Sequence, residues 1–368
     1  MPDYYIGLIS GTSMDGIDAV LVEFGNRSLR TIAATSHSYP EELRAGLMAA
    51  SRNPQTCTVD ILGSLDHWTG ECFRDAALGL LRESGIDASQ VRAIGSHGQT
   101  MRHCPDEVRP FTVQIGNPSL IAKGTGITCV ADFRNADIAL GGQGAPLVPP
   151  FHEWLFRSAG VDRCVVNIGG IANITLLPCG DGTIGGFDTG PGNTLLDAWT
   201  LRHKGAAHDE SGQWAASGSC DDALLERMLA DSYFSLSAPK STGFEYFNEA
   251  WLSSFGVGDQ NSANVQATLC ELTARTIAEA INARINDTGE VLVCGGGVHN
   301  AHLMRRLSAN LAAAKLDSTA DHDLDPDLVE ASAFAWLAMR TLENLPGNAP
   351  SVTGASRAAI LGAIYPAG

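Results

Sequence analysis

Apolar and polar positions along the chain alternate, or fall into short runs, with periods that mark strands and helices. Apolar runs beginning at Ile6 and Ile17 flank a turn of Ser, Gly, Thr and Asp, which predicts two strands joined by a tight hairpin. A third strand is predicted over 29–38. Ile61, Leu65, Trp68, Cys72, Ala76 and Leu80 then recur at helical spacing, giving a long amphipathic helix that ends near Gly85. Strands follow over 91–95, 111–115 and 127–131, with a short helix over 118–124. Residues 163–177 repeat the hairpin form around Gly169-Gly170. A strand over 183–187 leads into Asp188-Thr-Gly-Pro-Gly-Asn193 and a helix over 194–201. Val265, Leu269, Leu272, Ile277 and Ile281 mark a long core-facing helix, the strand 290–294 runs into Gly295-Gly296-Gly297, and a helix is predicted over 326–343.

Between these elements lie loops with chemistry. Gly11 and Gly16 allow close approach to the backbone, and the hydroxyls of Ser10, Thr12 and Ser13 line one concave edge, as in a phosphate cradle. Asp15 and Asp18 are placed to hold a metal ion or its waters. No Gly-Lys-Ser/Thr follows, so this is not a Walker loop. Gly169-Gly170 makes a second such hairpin, and Gly295-Gly296-Gly297 a third loop, suited to adenosine. Loops so far apart in sequence imply two domains closing on a nucleotide. His97, Gln99 and Thr100 are expected at the end of the 91–95 strand, facing the crevice where α/β folds bind ligands. Arg134 has the planar fork of an anion clamp. Asp188, ahead of a Gly-Pro-Gly turn with helix N–H groups beside it, is the candidate general base. The Gly- and Pro-rich stretch 140–150 reads as the crossing between domains 1–139 and 140–368.

Composition narrows the choice. With 368 residues, 44% hydrophobic and 18% charged, the chain can fill two cores without metal or disulfide staples. A net charge of −17 opposes nucleic acid and anionic membrane surfaces as partners. The start lacks a secretory pattern and no run is long enough to span a bilayer, so a cytoplasmic protein is expected. Nine cysteines, an odd number without close pairs, are expected as free thiols, with Cys164 and Cys294 in the core. The histidine pairs lack further ligands at zinc spacing.

The ordered stretches 7–18, 96–100, 114–116, 131–134, 167–173 and 187–193, with Glu330-Ala331 before the last long helix, make the chain resemble the 1,6-anhydro-N-acetylmuramic acid kinases over almost its whole length. That resemblance implies an α/β, two-domain actin/hexokinase-like ATPase fold, with a mixed sheet and flanking helices in each domain and the nucleotide in the interdomain cleft. It implies ATP and Mg2+, an anhydro amino sugar as substrate, and a homodimer. Carried onto this sequence, it adds Met14, Ile17, Asn167, Asn173, Gly190, Gly192 and Asn193 to the ATP-binding set. It also brings Glu330 to the sugar, and gives Arg134 the substrate's lactyl carboxylate. Phe244 stands where the family usually has Arg. Two alternatives stay open here: a kinase or phosphatase of the same fold acting on another small molecule, and an actin- or chaperone-like ATPase signalling to a protein partner. For the latter, an appended interaction domain would be expected, and none is found in the sequence.

Overall fold

The computed structural model describes residues 3–11, 14–238, 240–285, 289–312 and 314–368. Contacts divide the chain into two compact units, Met1–Leu155 with Leu328–Gly368, and Phe156–Asp327. This differs from a division after residue 139. The 140–150 stretch packs within unit 1, where Gln143 N–H donates to the Thr353 carbonyl at 2.8 Å and Ser356 N–H to the Leu140 carbonyl at 2.9 Å. The Gly and Pro composition that suggested a linker is instead a folded loop held by the C-terminal segment.

Unit 1 contains strands β1 (Tyr4–Ser10), β2 (Gly16–Phe24), β3 (Leu29–Ser38), β4 (Val91–Cys104), β5 (Phe111–Ile115), β6 (Cys129–Ala131) and β12 (Ala363–Tyr365). They form one sheet in the order β12-β6-β4-β1-β2-β3, with β5 paired to β4. β1 is buried along its whole length, as befits a central strand covered on both faces. Ile6 and Leu8 join a core with Leu43, Leu65 and Phe73 of the helices Glu41–Arg52 and Val59–Ser84. The longer helix begins at Thr58, whose side chain accepts the Ile61 N–H, and stops at Gly85 in the left-handed conformation. Gly7, between Ile6 and Leu8, faces the other way, and its register partner across the parallel β1/β4 pair is Gly95. A Cβ at either position would collide with a backbone carbonyl of the helix Val329–Leu342, that of Ala331 over Gly7 and that of Phe334 over Gly95. Two bare positions side by side let that helix lie directly on the sheet.

Unit 2 contains β7 (Arg163–Ile168), β8 (Ile171–Leu177), β9 (Gly185–Pro191), β10 (Glu290–Cys294) and β11 (Lys315–Ser318), ordered β11-β10-β7-β8-β9. β10 runs parallel to β7 and β11, and β7-β8-β9 is an antiparallel meander. Cys164, Val166, Ile168, Ile174 and Phe187 enter a core with Leu195, Leu269 and Leu303 of the helices Thr194–Lys204, Ser262–Asn282 and Ala301–Asn310. Strand alternation turns Asn167, Asn173 and Asp188 away from that core. Cys164 and Cys294 are buried, and all nine cysteines are free thiols. Among the described residues, no helix is long and apolar enough to cross a membrane.

Candidate functional site

In unit 1 the first hairpin is fastened from below by Gln99. Its amide donates to the Gly11 carbonyl at 3.1 Å, and its carbonyl oxygen lies 2.7 Å from the Ser10 hydroxyl, which also stands 2.7 Å from the Gly16 carbonyl. Gln99 is wholly buried, so its polar atoms serve the hairpin. The expectation of a loop at 96–100 is corrected here: these residues lie inside the long strand β4, which continues past Gly98 by adopting a positive φ of 73° and then pairs with β5. Only glycine tolerates that angle readily, and the kink hides the strand's period. Thr100 is half-buried, and its hydroxyl accepts from Gln114 at 3.2 Å.

Met14 and Ile17 are core side chains, so at these positions only backbone is available to a nucleotide. Thr12 and Ser13 lie outside the described residues. Asp15 is exposed and paired with Arg44 at 2.8 Å, and Asp18 is exposed on β2. Among the described residues no group of three or more His, Cys, Asp or Glu is arranged to hold a metal. Mg2+ typically takes one or two carboxylates plus phosphate oxygens and waters, so this donor set fits it only alongside a nucleotide.

Arg134 caps the short helix Asn135–Ala139, and its guanidinium is held from two sides. Nε and Nη2 donate to His97 Nε2 at 3.1 and 2.9 Å, and Nη1 donates to the Gly144 carbonyl at 2.7 Å. His97 Nδ1, 2.9 Å from the Gly98 carbonyl, carries the ring proton in the tautomer that satisfies both neighbours. Burial, with the Arg134 cation beside it, holds His97 well below its ordinary pKa, so the ring is neutral. It acts as a rest for Arg134, packed against Phe334 with ring centroids 4.6 Å apart. Three of the five guanidinium N–H groups are thus engaged. Two remain without an acceptor among the described residues, the number a carboxylate needs. Burial brings the Arg134 pKa down to about 10, opposed by the charges of Glu330 and Asp137. Glu330 sits exposed in the first turn of Val329–Leu342, so the structure brings His97, Arg134 and Glu330 together.

In unit 2, Gly169-Gly170 makes the predicted hairpin turn. Its carbonyls accept the N–H groups of Gly192, Asn193 and Thr194 at 2.8 to 3.0 Å. The Asn193 side chain adds a bond to the Ile168 carbonyl at 3.2 Å. The Thr194 N–H, first of the following helix, is therefore spent on the hairpin with those of Gly192 and Asn193, so these three amides are not the anion donors expected beside Asp188. What they leave open are the N–H groups of Gly169 and Gly170, which donate to no described residue. Gly190, Gly192, Gly295 and Gly297 are close-packed, since a Cβ on them would meet Phe234, the Gly169 carbonyl, Asn167 and Ile168 respectively. Gly296 has nothing within 4 Å of a Cβ and is exposed. The open positions of the second and third loops are therefore Gly169 and Gly296.

Asp188 lies within β9, not at a strand end. Register places Asn167, Asn173 and Asp188 in one row across β7, β8 and β9, all half-buried and on one face. A segment that the sequence left without a role holds Asp188 there. Tyr233 donates its hydroxyl to the Asp188 carbonyl at 2.7 Å, Asp188 N–H donates to the Lys240 carbonyl at 3.1 Å, and Thr242 N–H donates to Oδ2 at 2.9 Å. Lys240 Nζ returns to the Tyr233 carbonyl at 3.1 Å. Burial pushes the Asp188 pKa up to about 6; the Thr242 bond and Lys240 work against the rise and Glu245 adds to it. Such a carboxylate is ionised at neutral pH yet basic enough to take a proton from water. Phe244 projects with 55% of its surface exposed and takes no part in this clamp.

The family model of the anhydro-N-acetylmuramic acid kinases matches residues 3–367. A protein of that description from Shewanella loihica is 50% identical over 367 residues, covering 99% of this chain and 98% of its own. One from Xanthomonas campestris pv. campestris strain 8004 is 51% identical over 367 residues, covering 99% and 97%. Among solved structures, the activator of the 2-hydroxyisocaproyl-CoA dehydratase from Clostridium difficile with bound ADPNP gives a TM-score of 0.47 at 12% identity, over 92% of this chain and 96% of that one.

Proposed function

The chain belongs to the anhydro-N-acetylmuramic acid kinase family, and from that premise we propose that it spends ATP to phosphorylate O6 of 1,6-anhydro-N-acetylmuramic acid while water opens the anhydro ring. The products are N-acetylmuramic acid 6-phosphate and ADP, and the reaction serves recycling of bacterial cell wall in the cytoplasm. By the family's pattern the enzyme is a homodimer.

The observation that carries the mechanism is the clamped, basic carboxylate of Asp188. O6 of the substrate is bonded to C1 and has no proton to give. Asp188 takes a proton from a water that attacks C1, the C1–O6 bond breaks, and O6 forms its new bond to the γ-phosphorus as ADP leaves. A glycosidase would need an acid to protonate the departing oxygen, whereas here phosphorus accepts it. In unit 2, Gly169, Gly170 and the Asn167/Asn173 row are assigned to phosphate and Gly296 to adenosine. In unit 1, the Gly11 to Asp18 hairpin is assigned to phosphate, Arg134 to the lactyl carboxylate, and Thr100 and Glu330 to the sugar. Mg2+, held by Asp15 and Asp18 together with phosphate oxygens, would neutralise charge on the transferring group.

Oxygen-18 water tests the reading. The expected product carries one labelled oxygen at C1 and none in the phosphate ester bridge, with phosphorylation and ring opening in equal amounts. Label in the O6 bridge, or release of unphosphorylated ring-opened sugar, would overturn it.

A further inference from the structure

Asp137 is wholly buried, and neither the hairpins nor the base makes use of it. Its Oδ1 accepts from Asn348 Nδ2 at 2.7 Å and Thr353 Oγ1 at 2.8 Å, both from the C-terminal segment, and its Oδ2 accepts from Gly144 N–H at 2.8 Å. The same Gly144 presents its carbonyl to Arg134 Nη1 at 2.7 Å. Gly142 passes so close to Oδ2 that a Cβ there would collide with it. A buried carboxylate is costly unless every lone pair is engaged, and an apolar residue would fill the same space more cheaply. What an apolar residue could not do is hold the N–H of the Gln143–Gly144 peptide, one Cα away from the Gly144 carbonyl that meets Arg134.

We propose that Asp137, fastened by Asn348 and Thr353, is a positioning residue that sets the guanidinium of Arg134 for the sugar's carboxylate. The inference rests on the reading of Arg134 as that clamp. The chain of bonds is short: Asn348 and Thr353 orient Asp137, Asp137 holds the Gly144 N–H, the left-handed Gly144 Cα (φ 66°) sets the next peptide, and its carbonyl orients Nη1 while His97 fixes the opposite edge. A carboxylate accepts on both oxygens. An amide in its place must turn an NH2 either on Gly144 N–H or on the Asn348 and Thr353 donors, so Asp137→Asn breaks the chain with almost no change of volume.

The experiment is a double-mutant cycle of Asp137→Asn with Arg134→Ala, with KM for the anhydro-muramic substrate, KM for ATP and kcat measured separately. Asp137→Asn should raise the sugar KM about tenfold while leaving ATP KM and kcat within about twofold, and should add less than about twofold once Arg134 is alanine. 1,6-Anhydro-N-acetylglucosamine, which lacks the lactyl group, should be used equally well by wild type and Asp137→Asn. An unchanged sugar KM, or the same loss in both backgrounds, overturns the inference. If Asp137→Asn does not fold, Thr353→Val removes one donor only; about a threefold rise in sugar KM is then expected, and no rise counts against the proposal. A second readout separates this inference from the reading beneath it. The Arg134 Nε–H signal, observed by NMR without any sugar, should shift or exchange faster with water in Asp137→Asn. If Arg134→Ala leaves sugar KM untouched, the carboxylate reading fails, and the Nε–H signal still decides whether Asp137 positions Arg134: movement supports it, and an unmoved signal refutes it.

Discussion

At the scale of single residues, the proposed chemistry turns on a carboxylate kept at an energetic disadvantage. Asp188 is half-buried, and burial pushes its pKa up from an ordinary 3.8 to about 6. The sign follows from linkage: the folded state disfavours the charged form, so the penalty is absent below about pH 4 and complete above about pH 6. A shift of this size corresponds to up to about 3 kcal/mol. Asp188→Asn keeps the Thr242 N–H bond and removes both the base and the penalty. Turnover should fall at least about a hundredfold with ATP affinity kept. The rising limb of the wild-type kcat/KM profile near pH 6 should be missing from the residual activity. The variant should also be the more stable protein at pH 7, by an amount that shrinks toward zero at pH 4, which thermal melts of both proteins across that range would show. Equal melting temperatures at every pH would mean that the carboxylate is not strained. Asp188 stands out in the sequence as a candidate base, because an Asp beside Gly-Pro-Gly is conspicuous. Its poise is not legible there, since it comes first from burial, and the groups that hold Asp188 in place, Tyr233, Lys240 and Thr242, lie more than forty residues onward and reach it only in the fold.

Elements show the same division between what spacing reveals and what packing decides. The strand-turn-strand form of both hairpins, the helix Val59–Ser84 with its terminal Gly85, and the strand ahead of the triple glycine all follow from period and turn composition. The sequence pattern predicts β4 only as far as Gly95, because Gly98 interrupts its alternation at the kink. Glycines in motif-like stretches also looked alike, though they do different things. Gly296 is open, whereas Gly7 lies against the carbonyl of Ala331. Gly296→Val should therefore fold normally and raise the dissociation constant for ATP at least about tenfold, a loss of about 1.4 kcal/mol or more. Gly7→Ala should lift the helix Val329–Leu342 off the sheet and cost about 3 kcal/mol. Calorimetric ATP titration and denaturant unfolding of the two variants would separate the roles. Wild-type ATP affinity in Gly296→Val would remove the third loop from the nucleotide site, and unchanged stability in Gly7→Ala would contradict the packing of helix on sheet.

On the scale of the whole molecule, composition correctly implied two folded units but not their boundaries, because a Gly- and Pro-rich loop and a true crossing look the same until contacts are known. Unit 2 is one continuous segment, Phe156–Asp327, with its own sheet and core. Unit 1 is split, and its later piece is structural: Phe334 and Trp336 are buried, and the helix carrying them covers Gly7 and Gly95. A fragment ending at residue 155 would expose that face of β1 and β4 to water and leave Asp137 without Asn348 and Thr353. It should fail to fold. Joining residue 155 to residue 328 through a flexible linker should restore it. Trp154 stands 6.3 Å from Trp336 between ring centroids, and seven helical residues, 329–335, separate Trp336 from Leu328. The gap is therefore on the order of 15 to 20 Å, which a Gly/Ser linker of about twelve residues spans. The joined protein and the isolated segment 156–327 should each unfold cooperatively and give dispersed amide spectra, while residues 1–155 alone should show collapsed amide dispersion and aggregate. A well-folded 1–155 fragment would mean that the C-terminal helix covers the sheet without being needed for it, and the burial of Gly7 and Gly95 beneath that helix would then have to serve something other than the stability of unit 1.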